Sequence, residues 1–541
     1  MAKRIISTNK LVETFSDQVQ LFNAIGLQNK IRDFSIPDLE INFNNGGIEF
    51  LRGSGVINFK RASEATYIDT DGILKKSDID EPRVEQNGLL LESDAFNYIQ
   101  YSEDFSKNAD KLNSSVTTLG TTVKAPDNLT IPFKLVESTA DGFHGLRWND
   151  TNCFSIKALS NSWNTYIDSH PKYKWMTFSV FVKAAERSEV CLRYISNAVT
   201  KQSIAFDLAT GTIDVSKSSW NFDYGAYPDD YNQAHIERNN INSVARIQKI
   251  AKSGVFEASS ESWYRISITF YTGPTANTII PEIHLLMRSS SLDPDVNYQY
   301  PGNGSSGIYI WGAQFENSSY PTSYIYSNSN TTISHRMMDF CWISRASENV
   351  PYPWTGNTSY VVDFDVLSKY DQGGADYNGF RINDPTEARN YSYIQNRGSR
   401  SIFRLGNFEY QLSRVDWLGR ITSYYDATPD YITTISSSEL IPNVADDNRL
   451  IRLATVYSGN SFSSYVDGNK VFSDIDSSPR TIREPTIITL GCEATTFPND
   501  RYGDNLVSVW NVGAHHVSLH GHIKSFRIFR RALSHEELTL C

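Results

Sequence analysis

The sequence lacks the features that announce most functional classes. Its five cysteines, Cys153, Cys191, Cys341, Cys492 and Cys541, are scattered and form no CxxC pair. That excludes a zinc ribbon or a dithiol redox motif and suits folding in a reducing cytoplasm. No apolar run approaches the roughly 18 residues that a membrane span needs. Behind the charged opening Met1–Ser7 there is no apolar stretch, so no secretory signal is expected. Without one, the sequons at Asn113, Asn128 and Asn357 carry no weight. Basic residues are the minority, 50 against 61 acidic for a net charge of −11, which argues against a nucleic-acid groove. No Gly-x-Ser-x-Gly elbow, P-loop or dinucleotide fingerprint is present.

What is abundant is aromatic. Tyr, Phe and Trp make up 13% of the 541 residues, while charged residues stop at 21%. Aromatics fit a pleated, half-buried surface, so the mixture favours strands. The chain is too long for one core. Only the first segment reads as a long helix: Leu11, Phe15, Val19, Phe22, Ile25 and Leu27 recur at helical spacing between Asn9 and Phe34. Beyond about residue 40 the period changes to two. Ile48–Leu51 and Val56–Phe59 read as short strands, and Tyr67–Leu74 as a hairpin around Asp71-Gly72 in a type I′ turn. An EF-hand loop would put Tyr67 at its first ligand position, so the turn is preferred. Strand after strand follows, as in Thr177–Val182, Trp263–Phe270 and Gly307–Trp311. The polar, unpatterned stretch Ser327–Thr332 reads as a linker.

Three stretches carry a family likeness. Phe59-Lys60-Arg61-Ala62-Ser63-Glu64-Ala65-Thr66-Tyr67, Glu81-Pro82-Arg83 and Gly88-Leu89-Leu90-Leu91-Glu92 resemble the leader of many tailed-phage structural proteins. Tyr101–Phe105, Val182–Arg187, Phe206–Gly211 and Gly307–Glu316 leading to Tyr320–Ile325 resemble that family's carbohydrate-binding-module-like jelly roll. Ser464–Val471, Thr489–Gly491, Gly521–Ile528 and Arg531–Leu538 resemble a concanavalin A-like, laminin-G-type sandwich. The fold expected is therefore mainly β: two β-sandwich or jelly-roll domains preceded by a short helical N-terminal attachment segment. The divisions expected are 1–50 for anchoring or oligomerisation, 51–95 for a β-hairpin leader, 96–330 for the jelly roll and 331–541 for the second sandwich. The resemblance implies a virion structural protein of the tail, a fibre or a decoration, assembled in the host cytoplasm. Its implied partners are other virion proteins through the N-terminal segment, a host-surface glycan and further copies of itself.

Physical readings stand beside the likeness. Asp467-Gly468 reads as a hairpin turn, Ser534 and Glu537 as a capping box, and Trp311 as a buried strand residue rather than a sugar platform. Glycoside hydrolysis needs a carboxylate pair. The nearest candidates, Asp363/Asp365 and Asp474/Asp476, have no glutamate in register and read as solvent-facing strand carboxylates. The alternative function, a polysaccharide-degrading hydrolase with a catalytic second sandwich, is accordingly disfavoured. His515, His516, His520, His522 and His535 are half of the ten histidines. His520 and His522 could share a strand face as metal ligands, but polar loop and edge histidines are the preferred reading. No cofactor is called for, and structural calcium in either sandwich stays open. Two aromatic stretches are the candidates for glycan or subunit contact: Arg147 and Trp148 within Phe143–Asp150, and Trp220, Tyr224, Tyr227 and Tyr231 in an insertion longer than the family's usual one.

Overall fold

The computed structural model describes residues 36–149, 175–220, 241–250, 262–271, 282–289, 297–344, 357–367, 450–475, 487–493 and 517–540, with short breaks inside these ranges, and the backbone of four strands between 400 and 436. These form two β-sandwiches and the leader that joins them. The helix expected between Asn9 and Phe34 lies outside the described residues. Among the described residues no helix is long and apolar enough to cross a membrane.

The first sandwich faces two six-stranded antiparallel sheets. The front sheet runs, in order, Thr212–Trp220, Val199–Asp207, Glu189–Ser196, Glu282–Arg288, Gly145–Trp148 and Asp110–Leu112. The back sheet runs Ser114–Thr117, Phe133–Glu137, Gly307–Glu316, Trp175–Ala184, Trp263–Tyr271 and Ala245–Ile250. Alternation sends Leu146, Leu192, Ile204 and Leu285 of the front sheet inward against Phe178, Val180, Val182, Ile266 and Ile268 of the back. Part of the back sheet's outer face is apolar as well. Phe181 faces out by alternation, a register shift beside it sets Trp311 opposite, and these with Trp263 and Tyr324 form a separate cluster that Leu74 and Ile68 of the leader hairpin cover. Trp311 is 3% exposed, as its strand position predicted.

The second sandwich draws on both ends of the chain. Leu39–Asn44 alternates buried and half-buried positions and pairs with Gly521–Phe529, with Gly47–Arg52 outside it. The same sheet continues through Asn357–Phe364, Ile451–Ser458, Ser461–Val466 and Asn469–Ile475, and Gly88–Leu91 also pairs with Gly521–Phe529. Val56–Lys60 joins the opposing seven-stranded sheet beside Phe340–Ser344. The boundary drawn at residue 50 therefore falls inside a strand. Residues 39–50, grouped by sequence with an attachment segment, belong to this core: Leu39, Ile41 and Phe43 are fully buried. A helix His535–Leu540 closes the outer face, packing Leu533 and Leu538 on Val361, Val456 and Phe529.

Local chemistry fixes the turns. Asp467 and Gly468 both have positive φ, 49° and 80°, and join paired Val466 and Asn469 as a type I′ turn. The leader hairpin differs from expectation. Of its turn residues only Gly72 has positive φ. Asp69 accepts from the Gly72 amide and its own amide donates to Ile73, giving a longer loop with glycine at the left-handed position. The Asp69 carboxylate, accepting from the amides of Asp71 and Ile73, holds that loop. The capping box forms reciprocally: the Glu537 amide donates to Ser534 Oγ, and the Ser534 amide to Glu537 Oε2.

Candidate functional site

The leader residues that carry the family likeness meet in a buried ionic hub. Arg61, Arg83, Arg336, Asp339 and Glu92 are each at most 1% exposed. Arg61 donates to Asp339 (3.1 Å), to Ser77 Oγ and to the carbonyls of Ser63 and Asp78. Arg83 donates to Glu92 (2.9 Å), Asp339, Ser323 Oγ and the Thr66 carbonyl. Arg336 pairs with Glu92 at 3.5 Å. Burial alone would raise the Glu92 carboxyl, but Arg336 and Arg83 hold it well below the usual carboxylate range. Such a cluster is stable only because nearly every charge has a geometric partner. It ties the leader to the segment that opens the second sandwich, where Ser334–Arg336 pairs with Ala95–Asn97.

Between the leader, the back sheet and the second sandwich lies a cleft of about 780 Å³. Tyr67, Glu85 and Asn87 line it from the leader, Arg246 and Gln248 from the back sheet's edge, and His522 from the second sandwich. Its inner charges are engaged across the junction. Arg246 donates to the Leu367 carbonyl and stands 5.9 Å over the Tyr320 ring. The Tyr320 hydroxyl reaches Glu92 (3.4 Å) and His520 (3.3 Å). His522 sits between Asp365 (2.9 Å) and Glu85 (3.2 Å). Burial works against its charge, yet Asp365 and Glu85 push its pKa up to about 10. This is a junction built of satisfied polar groups.

The sequence candidates separate. Arg147 and Trp148 were expected on an exposed loop, but Gly145–Trp148 is a strand, and alternation splits the pair. Trp148 is fully buried in the first core against Phe178 and Phe105, so it presents no sugar platform. Arg147 points out and pairs with Asp110 at 2.8 Å. Trp220 ends the front sheet's edge strand and packs against the core. Tyr224, Tyr227 and Tyr231 lie outside the described residues, as do His515, His516 and Asp476. Asp363 and Asp365 are not solvent-facing: they are 6% and 2% exposed. Asp363 pairs with Arg452 and Arg527, which leaves it no freedom as an acid or nucleophile. His520 and His522 are likewise buried, at 8% and 3%, the first against the Tyr320 hydroxyl and the second between two carboxylates. Among the described residues no group of three or more His, Cys, Asp or Glu is placed to hold a metal ion.

The outer face of the front sheet carries what sequence reading missed. Strand register lines up Asp110, Arg147, His284, Arg193 and Ser203 in one row across five strands. Arg193 lies between the rings of Phe143 (5.1 Å) and Tyr298 (5.6 Å). Its buried Nε has no hydrogen-bond partner, and neither has Nδ1 of His284, whose Nε2 is 2.5 Å from Glu282. Burial, with Arg193 and Arg147 nearby, outweighs Glu282 and lowers the His284 pKa. The signal was available: Glu189-Val-Cys-Leu-Arg193 and Glu282-Ile-His284 place polar residues at every second or fourth position.

No family model matches the sequence, and no curated protein does. Solved structures similar to the chain include the binding domain of botulinum neurotoxin serotype D, 12% identical over 37% of this chain and 40% of that one, with a TM-score of 0.24. Another is the CBM40 of the Ruminococcus gnavus IT-sialidase bound to α2,3-sialyllactose, 10% identical over 34% and 82%, with a TM-score of 0.21. A third is domain 4 of AbnA, a GH43 extracellular arabinanase from Geobacillus stearothermophilus, in complex with arabinotriose, 12% identical over 37% and 71%, with a TM-score of 0.22. The chain spans 40% of the length of the first of these. Likeness at this level carries no argument about what this chain binds.

Proposed function

We propose that the chain is a structural component of a tailed-phage virion, in the tail, a fibre or a decoration, whose sandwiches adhere to host-surface glycan. The observation that carries the reading is the role of the resembling residues. Arg61, Arg83 and Glu92 of the leader motif are buried ions at the joint between the sandwiches, and that structural role supports the reading. In this reading residues 1–35 attach the chain to other virion proteins or to further copies, and the sandwiches face outward. Glycan is held rather than cleaved, since Asp363 and Asp365, the carboxylates nearest a hydrolase pattern, are locked in ion pairs.

Immunogold labelling of purified particles with antibody to the sandwiches tests the assignment. Gold on the tail, fibres or capsid surface is expected, and unlabelled particles would overturn it. Incubating purified protein with host-surface polysaccharide tests the hydrolase alternative: no new reducing ends are expected, and their steady release would establish the alternative instead.

A further inference from the structure

The row on the front sheet leaves one cation without a counter-charge among the described residues. Two of its three cationic-type side chains have carboxylate partners: Arg147 has Asp110 at 2.8 Å, and His284 has Glu282 at 2.5 Å. Arg193, between them and Ser203 in register, has no carboxylate or carbonyl partner among the described residues. Its two flanking rings fix the planar guanidinium but satisfy none of its N–H groups. Next to it the His284 ring, 7% exposed, leaves Nδ1 without a partner. A half-buried guanidinium without an acceptor beside an orphaned ring nitrogen is costly to maintain in an empty fold. Both needs are met by one group: a carboxylate accepting the guanidinium fork, with a hydroxyl or the same carboxylate against the imidazole.

We propose that Arg193 and His284, with Arg147 alongside, form a subsite for the carboxylate of an acidic sugar. The proposal rests on the glycan-adhesion reading and names its ligand class. Neighbouring strands are about 4.8 Å apart, so Arg147 and Arg193, two strands from each other, stand about 10 Å apart. One acidic sugar bridges that distance with its carboxylate at Arg193 and its hydroxyls toward Arg147 and Asn149. Asn149 donates to Asp110 at 2.9 Å and leaves its buried carbonyl oxygen unpartnered.

Isothermal titration of the full chain with glucuronate, N-acetylneuraminate, methyl glucoside and glutamate tests this. The two acidic sugars are expected to bind and the neutral sugar and the amino acid not to. Arg193→Gln is expected to weaken the acidic sugars at least tenfold at an unchanged melting temperature, and Arg193→Lys to recover part of the loss. Equal binding of methyl glucoside would overturn the subsite while leaving glycan adhesion intact. Equal binding of glutamate would reduce it to a general anion site. If a panel of neutral and acidic host glycans all fail to bind, the adhesion reading falls and takes the subsite with it. Full acidic-sugar binding by a folded Arg193→Gln variant would place the carboxylate elsewhere.

Discussion

Side chains two positions apart share a strand face, but alternation does not say which face is covered. Arg147 and Trp148 were read together as loop neighbours, and the strand Gly145–Trp148 makes them opposites. Trp148→Ala should cost about 3–5 kcal/mol, as for other large-to-small core changes, whereas Arg147→Ala, losing a pair that is 37% exposed on the arginine side, should cost about 0–1 kcal/mol. Denaturant unfolding of the two variants checks the order, and a Trp148→Ala variant as stable as Arg147→Ala would move Trp148 out of the core. The same blindness hid His522. Its acidic partners, Glu85 and Asp365, lie 437 and 157 residues earlier, so nothing local in the sequence marks it as an ion-pair centre. Its folded-state pKa is raised, so its contribution to stability is complete below the unfolded value near 6.5. It is lost as pH rises toward about 10. Between those limits the protein should lose stability faster than His522→Gln does, and parallel stability curves for the two would show that the imidazole is not held charged.

Elements were legible where local chemistry decides them. The Asp467-Gly468 turn and the Ser534/Glu537 capping box formed as read, because each needs only residues within a few positions. The leader hairpin formed with a different turn, since Asp-Gly also suits a longer loop when the preceding Asp69 can collect its amides. The strand Leu39–Asn44 was missed as part of a sandwich because its partner is Gly521–Phe529, at the other end of the chain. The alternation of Leu39, Ile41 and Phe43 marks a strand, but nothing near it in the sequence names a partner so far away. Removing residues 1–35 should leave the melting temperature of the sandwiches nearly unchanged, whereas removing 1–44 takes away Leu39, Ile41 and Phe43 and should destabilise the protein severely. Circular dichroism melts of the two truncations decide it; equal melting would mean that this strand contributes no core.

On the scale of the molecule, the mainly β, two-sandwich class was readable from aromatic content, period-two patterning and turn punctuation. The joint was not. Ser327–Thr332 read as a linker because it is polar; Ser327 is 2% exposed and hydrogen-bonded to Ser102, Asn328 is exposed, and residues 330–332 lie outside the described residues. Beyond it, Arg336 and Asp339 enter the ionic hub. A polar stretch can be solvated or knitted into a buried network, and composition does not distinguish the two. The leader is thus the element that makes one unit of two sandwiches, and Arg83, with Glu92 on one side and Asp339 on the other, is its centre. Calorimetry of the full chain beside Arg83→Met is the most direct test. The unaltered protein should unfold in a single transition; the variant, with both carboxylates left short of a partner at a cost of about 3–5 kcal/mol, should melt lower and in two steps. Two separate transitions in the unaltered protein, or an Arg83→Met trace indistinguishable from it, would contradict the claim that the leader locks the sandwiches together.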